Sequence, residues 1–163
     1  MKYILLILCF VIFAYPTLAA PSKTKDPSPA PEIEAYNSGT ELLKQLQFAA
    51  AEKQLRQALK SNEKFPESHN NLAYALRKQG PKHFEKALRH YNRAIELDQN
   101  LAEAYMYRGV LYVQMGQLDK AQADLDTLKR QSPRLAKELD YVIQNQAEKT
   151  PEKFFGVAAV IKE

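Results

Sequence analysis

The hydrophobic pattern of the chain changes three times. After Met1 and Lys2, residues 3–14 are apolar and uncharged. Residues 20–31 are dominated by proline, serine and lysine and hold almost nothing to bury. From residue 32 the apolar side chains recur three and four positions apart. Leu135, Leu139, Val142 and Ile143 show the spacing, which gathers them on one face of a helix. The residues between are rich in Ala, Gln, Glu, Lys and Arg, which favour helix. Outside the last ten residues, no stretch beyond residue 31 alternates as a strand does. The pattern predicts an all-α domain, followed by a second uncharged apolar run at residues 154–161.

The helical stretch repeats itself. The segment from Pro66 carries Leu72, Ala73 and Leu76, then Gly80, Ala87, Tyr91 and Ala94. The segment from Ala102 carries Tyr105, Gly109 and Tyr112, then Gly116, Ala121 and Leu125. A fainter copy opens at Glu32 with Gly39, Leu42, Ala51, Leu55 and Ala58. Gly39, Ala73 and Gly109 are 34 and 36 residues apart, and Ala51, Ala87 and Ala121 are 36 and 34 apart. Both sets fit a period of 34 with a two-residue insertion, Pro81-Lys82, in the middle turn. Such a period marks stacked supersecondary units, each burying its apolar face against the next.

Glycine or alanine, then alanine, then a bulky residue one turn on, all in register at this period, resemble the tetratricopeptide repeat. The resemblance implies an all-α, right-handed α-solenoid of three helix-turn-helix hairpins with a C-terminal capping helix. Its small residues are expected where the two helices of one hairpin cross, Gly39, Ala73 and Gly109 facing Ala51, Ala87 and Ala121. Gly80 and Gly116 are expected to end first helices, and Pro66 and Pro133 to start helices. The family's tryptophan is replaced by Ala35, His69 and Tyr105, and the first repeat has Leu46 where glycine is usual. The expected organisation is a signal peptide at 1–19 and a proline-rich linker at 20–31. A repeat domain follows at 32–149, with repeats at about 32–65, 66–101 and 102–135 and a capping helix at 134–149. An apolar tail occupies 150–163.

The resemblance also implies a peptide-binding concave face lined by the first helix of each hairpin. By position it is Tyr36, Asn37 and Thr40, then Asn70, Asn71 and Tyr74, then Met106, Tyr107 and Val110. Arrays of this family that grip acidic chaperone C-termini use Lys, Asn, Asn, Lys and Arg. Here only Asn71 matches, and the other four places hold Tyr36, Thr40, Glu103 and Tyr107. What remains is an aromatic and amide surface suited to an extended peptide, or to contacts with neighbouring helices and the apolar tail. The tail itself either docks on the solenoid or engages a partner.

The first twenty residues have the layout of a secretory signal: Lys2, an apolar core, then Thr17 and Ala19 as the small residues before a cut. Cleavage is placed after Ala19, because Pro21 obstructs a cut after Ala20. The expectation is an exported protein, secreted or in a periplasmic or other extracytoplasmic space. The alternative is a membrane-tethered accessory subunit of an extracytoplasmic complex, with residues 1–20 retained as anchor and close to a membrane. Cys9 is the chain's one cysteine and lies inside the leader, so the exported form has neither disulfide nor thiol nucleophile.

The net charge of +4 comes from 23 basic and 19 acidic residues interspersed along the chain. The basic runs are short pairs such as Arg77-Lys78, without the stripe of a nucleic-acid reader, and no nucleic acid is expected. There is no phosphate loop, no nucleophile elbow and no metal-spaced Cys or His pair. His69 has a packing place and His83 lies in a turn, leaving no set with His90 to hold a metal. The reading is a non-catalytic scaffold without cofactor or metal, whose partner is a protein or peptide.

Overall fold

In the computed structural model the described residues are 29–149. The leader, most of the linker and the apolar tail lie outside them. The helices are α1 (Pro31–Lys44), α2 (Phe48–Ser61), α3 (Pro66–Lys78), α4 (Phe84–Leu97), α5 (Ala102–Gln114), α6 (Leu118–Gln131) and α7 (Pro133–Asn145). No strand occurs among the described residues. None of their helices is long and apolar enough to cross a membrane.

Local chemistry sets the boundaries. Proline starts α1, α3 and α7, where the missing N–H would have had no helical partner. At α7 the Ser132 hydroxyl also accepts from the Leu135 N–H, satisfying one of the free donors of the first turn. Gly80 and Gly116 break the chain between helices at φ of 104° and 72°. The first hairpin makes the same turn with Leu46, at φ of 60° and half in solvent, a conformation that crowds its Cβ against the next carbonyl. The insertion in the middle repeat appears as a 3₁₀ turn, Pro81–His83, ahead of α4.

The helices pair as α1/α2, α3/α4 and α5/α6, each hairpin stacks on the next, and α7 packs on both α5 and α6. The result is an all-α solenoid of three hairpins closed by a seventh helix. Ala51, Ala87 and Ala121 are fully buried between helices, with Leu55, Tyr91 and Leu125 closed one turn on. The α7 stripe of Leu135, Leu139 and Val142 is buried as its spacing predicts. Each such side chain contributes ~1.5–3 kcal/mol of apolar burial.

The small residues do not all serve one purpose. A Cβ on Gly39 would lie 2.7 Å from Leu55 Cγ of α2, so this glycine permits a crossing within its own hairpin. A Cβ on Gly109 would instead meet Leu139 of α7 at 2.5 Å. The expected within-hairpin role of Gly109 is therefore corrected: the tight approach is to the capping helix. Among the described residues no fourth hairpin stands behind the third, and α7 fills that side with a leucine.

His69, in the family's tryptophan position, stacks on His90 of α4 with ring centroids 5.2 Å apart. Its Nε2–H donates to the Glu63 carbonyl at 2.9 Å, which leaves its Nδ1 to accept from His90 Nδ1–H at 3.0 Å. Burial, with His69 alongside, pushes His90 down to about 4, and burial lowers His69. Both rings are neutral at pH 7 and act as packing.

Candidate functional site

α1, α3 and α5 lie side by side along one face of the array. Helical spacing brings the sequence-predicted residues onto it: Tyr36, Asn37 and Thr40 from α1, Asn70, Asn71 and Tyr74 from α3, and Met106, Tyr107 and Val110 from α5. The structure gathers them and buries them. Asn37 is half-buried, and the others are 0–4% exposed.

Asn71 offers no open amide and Asn70 keeps only its Oδ1 unpaired, which narrows the expected peptide-facing amide surface. Asn71 Nδ2 donates to Thr40 Oγ1 at 3.0 Å across the α1–α3 gap. Asn71 Oδ1 accepts from Asn70 Nδ2 at 3.1 Å. The pair spans the seam between two hairpins, where an unbonded polar group would cost about 1–3 kcal/mol. Asn71, the one residue matching the acidic-tail clamp, is thereby engaged within the fold.

The aromatics form two groups. The Tyr36 ring lies 4.8 Å from that of Phe65, tilted by 37°. Phe48 meets Tyr74 edge-on at 6.2 Å, and Tyr74 meets Tyr107 edge-on at 4.9 Å. Burial pushes the Tyr74 phenol up to about 12 and raises Tyr36 and Tyr107 as well, so all three are neutral donors at physiological pH.

Beside the Tyr74–Tyr107 pair sits Arg77, which the sequence pattern showed only as half of a short basic pair. It is 2% exposed. Its guanidinium lies 5.2 Å from the Tyr74 ring centroid and 5.8 Å from that of Tyr107, in the range of cation–π attraction. Nη1 and Nη2 donate to the two carboxylate oxygens of Glu148 at 2.9 and 3.3 Å. Lys78 Nζ stands 3.6 Å from the same carboxylate. Burial disfavours the charged guanidinium, and the Tyr91 oxygen and Glu148 carboxylate more than restore it. Burial alone would raise Glu148, but Arg77 and Lys78 hold it below its ordinary value. The signal for Arg77 was its register: Asn70, Tyr74 and Arg77 are i, i+4 and i+7 on one helix stripe. Nothing local in the sequence marks Glu148.

Among the described residues no group of three His, Cys, Asp or Glu side chains is placed to hold a metal ion. The face offers aromatic contact area, a buried cation and a few hydrogen-bonding atoms.

Two repeat-family models match the sequence, one described as tetratricopeptide repeat over residues 36–80 and one as TPR repeat over residues 83–125. No curated protein matches it by sequence. Among solved structures, the Arabidopsis OM64 TPR domain superposes with a TM-score of 0.65 at 20% identity, covering 72% of this chain and 97% of that one. The TPR2B domain of yeast Sti1, in complex with pHsp70, gives 0.64 at 24% identity, over 71% of this chain and 98% of that one. The first TPR of Spaghetti (RPAP3), bound to the HSP90 peptide SRMEEVD, gives 0.63 at 21%, over 72% and 94%.

Proposed function

Since this chain belongs to the tetratricopeptide-repeat family, we propose that it is a non-catalytic scaffold holding an extended peptide or protein segment along the inner face of α1, α3 and α5. The observation that carries this is the edge-on pair of Tyr74 and Tyr107, from the second and third hairpins, beside the buried cation of Arg77. Tyrosines give large contact area with few rotors to freeze, and arginine joins them at the energetic centres of interfaces. Two of the structural neighbours hold chaperone-derived ligands on the same fold. The acidic-tail clamp is not reproduced here, because Tyr36, Thr40, Glu103 and Tyr107 stand at four of its places. The ligand class favoured by these residues is a mixed apolar and aromatic segment, with its backbone available for hydrogen bonds.

The scaffold works outside the cytoplasm in this reading, released from residues 1–19 and beginning at Ala20. The support is the charged start, apolar core and small-residue ending of the leader. N-terminal sequencing of exported protein checks this point, and a chain that still starts at Met1 supports the tethered alternative.

Affinity capture from the native source with the exported chain identifies the partner. Tyr107→Ala should weaken capture by about 1–3 kcal/mol, with helicity retained. Changes at the exposed outer residues Lys53, Arg89 and Gln122 should leave capture intact. The opposite pattern, with binding lost only on the outer face, would refute the reading.

A further inference from the structure

The middle inner helix of an open array keeps one stripe wet. On α3, residues 68–77 are buried without a break. The stripe that would be wet is Asn70, Tyr74 and Arg77, and it is closed, as are Thr40 on α1 and Met106, Tyr107 and Val110 on α5. Polar atoms on this face are left over. Asn70 Oδ1, Arg77 Nε and Tyr107 OH are buried and have no hydrogen-bond partner among the described residues. Buried polar groups without partners are uncommon. An acceptor and two donors on one face suit the N–H and C=O groups of a polypeptide backbone.

The chain leads its own C-terminal segment here. α7 ends at Asn145, and Gln146 just after it, at φ of 51°, turns the backbone. Lys149 Nζ comes back to Glu138 at 3.2 Å, and between the two Glu148 reaches Arg77. Fourteen residues, 150–163, follow. Extended, they reach about 46–50 Å, against roughly 20 Å across three inner helices spaced 8–10 Å apart. Their central stretch, 154–161, is uncharged and begins with two phenylalanines, a match for a face of tyrosine rings.

We propose that residues 150–163 occupy the inner face as an intramolecular stand-in for the partner, latched by Glu148 on Arg77 and Lys78. The stand-in half of this statement rests on the scaffold reading above, and the docking half stands without it. A partner then binds only the fraction of molecules whose tail is released, and its apparent affinity falls by that fraction.

The deciding experiment uses the full chain with Cys9→Ser and Ala158→Cys, the new thiol carrying a nitroxide, and reads paramagnetic broadening of amide signals. Docking gives selective loss at residues 36–40, 70–77 and 106–110, with the exposed positions of α2, α4 and α6 retained. Adding Glu148→Arg restores those signals. It also raises chymotrypsin cleavage after Phe154 and Phe155 roughly tenfold, as cleavage follows the released population. Loss at the outer helices, or no loss, overturns docking. Broadening seen only between spin-labelled and isotope-labelled chains in a mixture assigns the face to a second copy and overturns it too. Docking together with a peptide of residues 150–163 that fails to displace the captured partner leaves the latch standing and overturns the stand-in role.

Discussion

Arg77 and Arg108 look alike in isolation. Both sit on inner helices, both lie over two tyrosine rings and both grip a carboxylate with two nitrogens. They differ in where the acid comes from. Arg108 takes Asp124 from α6, its own hairpin's second helix, through contacts of 3.0 and 2.6 Å, and adds Asn92 of α4 at 2.9 Å. Asp124 cannot leave without α6, so the cluster ties the second hairpin to the third. Arg77 takes Glu148 from the few residues beyond α7, and its Nε is left over. Glu148 can leave without unfolding any helix. The same chemical group is a permanent joint in one place and a releasable contact in the other.

Breaking the permanent joint should have the largest effect. Arg108→Leu strands the Asp124 carboxylate, whose side chain is 4% exposed, and should cost about 3 kcal/mol in urea unfolding. An unchanged midpoint would erase the distinction from that side. Glu148→Gln should cost less, about 1–2 kcal/mol, because the amide oxygen still accepts from Arg77 although that buried guanidinium loses its counter-charge. Its signature is in the pH dependence. The folded carboxyl titrates below its ordinary value. Its contribution is therefore complete above that ordinary value and is lost as pH falls through the lower, folded one. Thermal melts of the wild type and Glu148→Gln should converge as the pH is taken down through this acid range. Parallel curves would show that Glu148 contributes through packing and not through charge.

A change outside both clusters sets the small end of the scale. Leu46→Gly relieves a positive-φ leucine at an exposed turn and should stabilise by about 0.5–1 kcal/mol, read as a rise in melting temperature. A fall would mean that the half-exposed Leu46 side chain contributes more packing than its turn costs in strain.

Much of the fold was legible because the solenoid writes its geometry into the sequence at a fixed period. Gly39, Ala73 and Gly109 mark close approaches, Gly80 and Gly116 mark reversals, and Leu135, Leu139 and Val142 mark a helix with one buried side. The role of Gly109 was not legible, because the repeat gives it the same register as Gly39 while the neighbour that presses on it belongs to no repeat. The inner-face residues were legible as a set, since register alone puts them on one side of three helices. Their burial was not. The Thr40–Asn71 bond joins residues 31 apart, and Arg77 and Glu148 are 71 apart, separations at which a polar pair leaves no local pattern. Arg77 read as one charge among many, although its place on the stripe of Asn70 and Tyr74 distinguished it from Lys78.

The Leu139 knob in the Gly109 hole fits the seventh helix to the third hairpin in particular. Ala73, at the equivalent place on the middle hairpin, carries a methyl group, and the next unit along is another hairpin rather than a cap. Gly109 carries nothing, and a terminator seats there. A fourth hairpin spliced between α6 and α7 would have to present glycine at that register to accept the same cap. One built on the middle repeat, with its alanine, would force the Leu139 side chain to shift before the cap could seat.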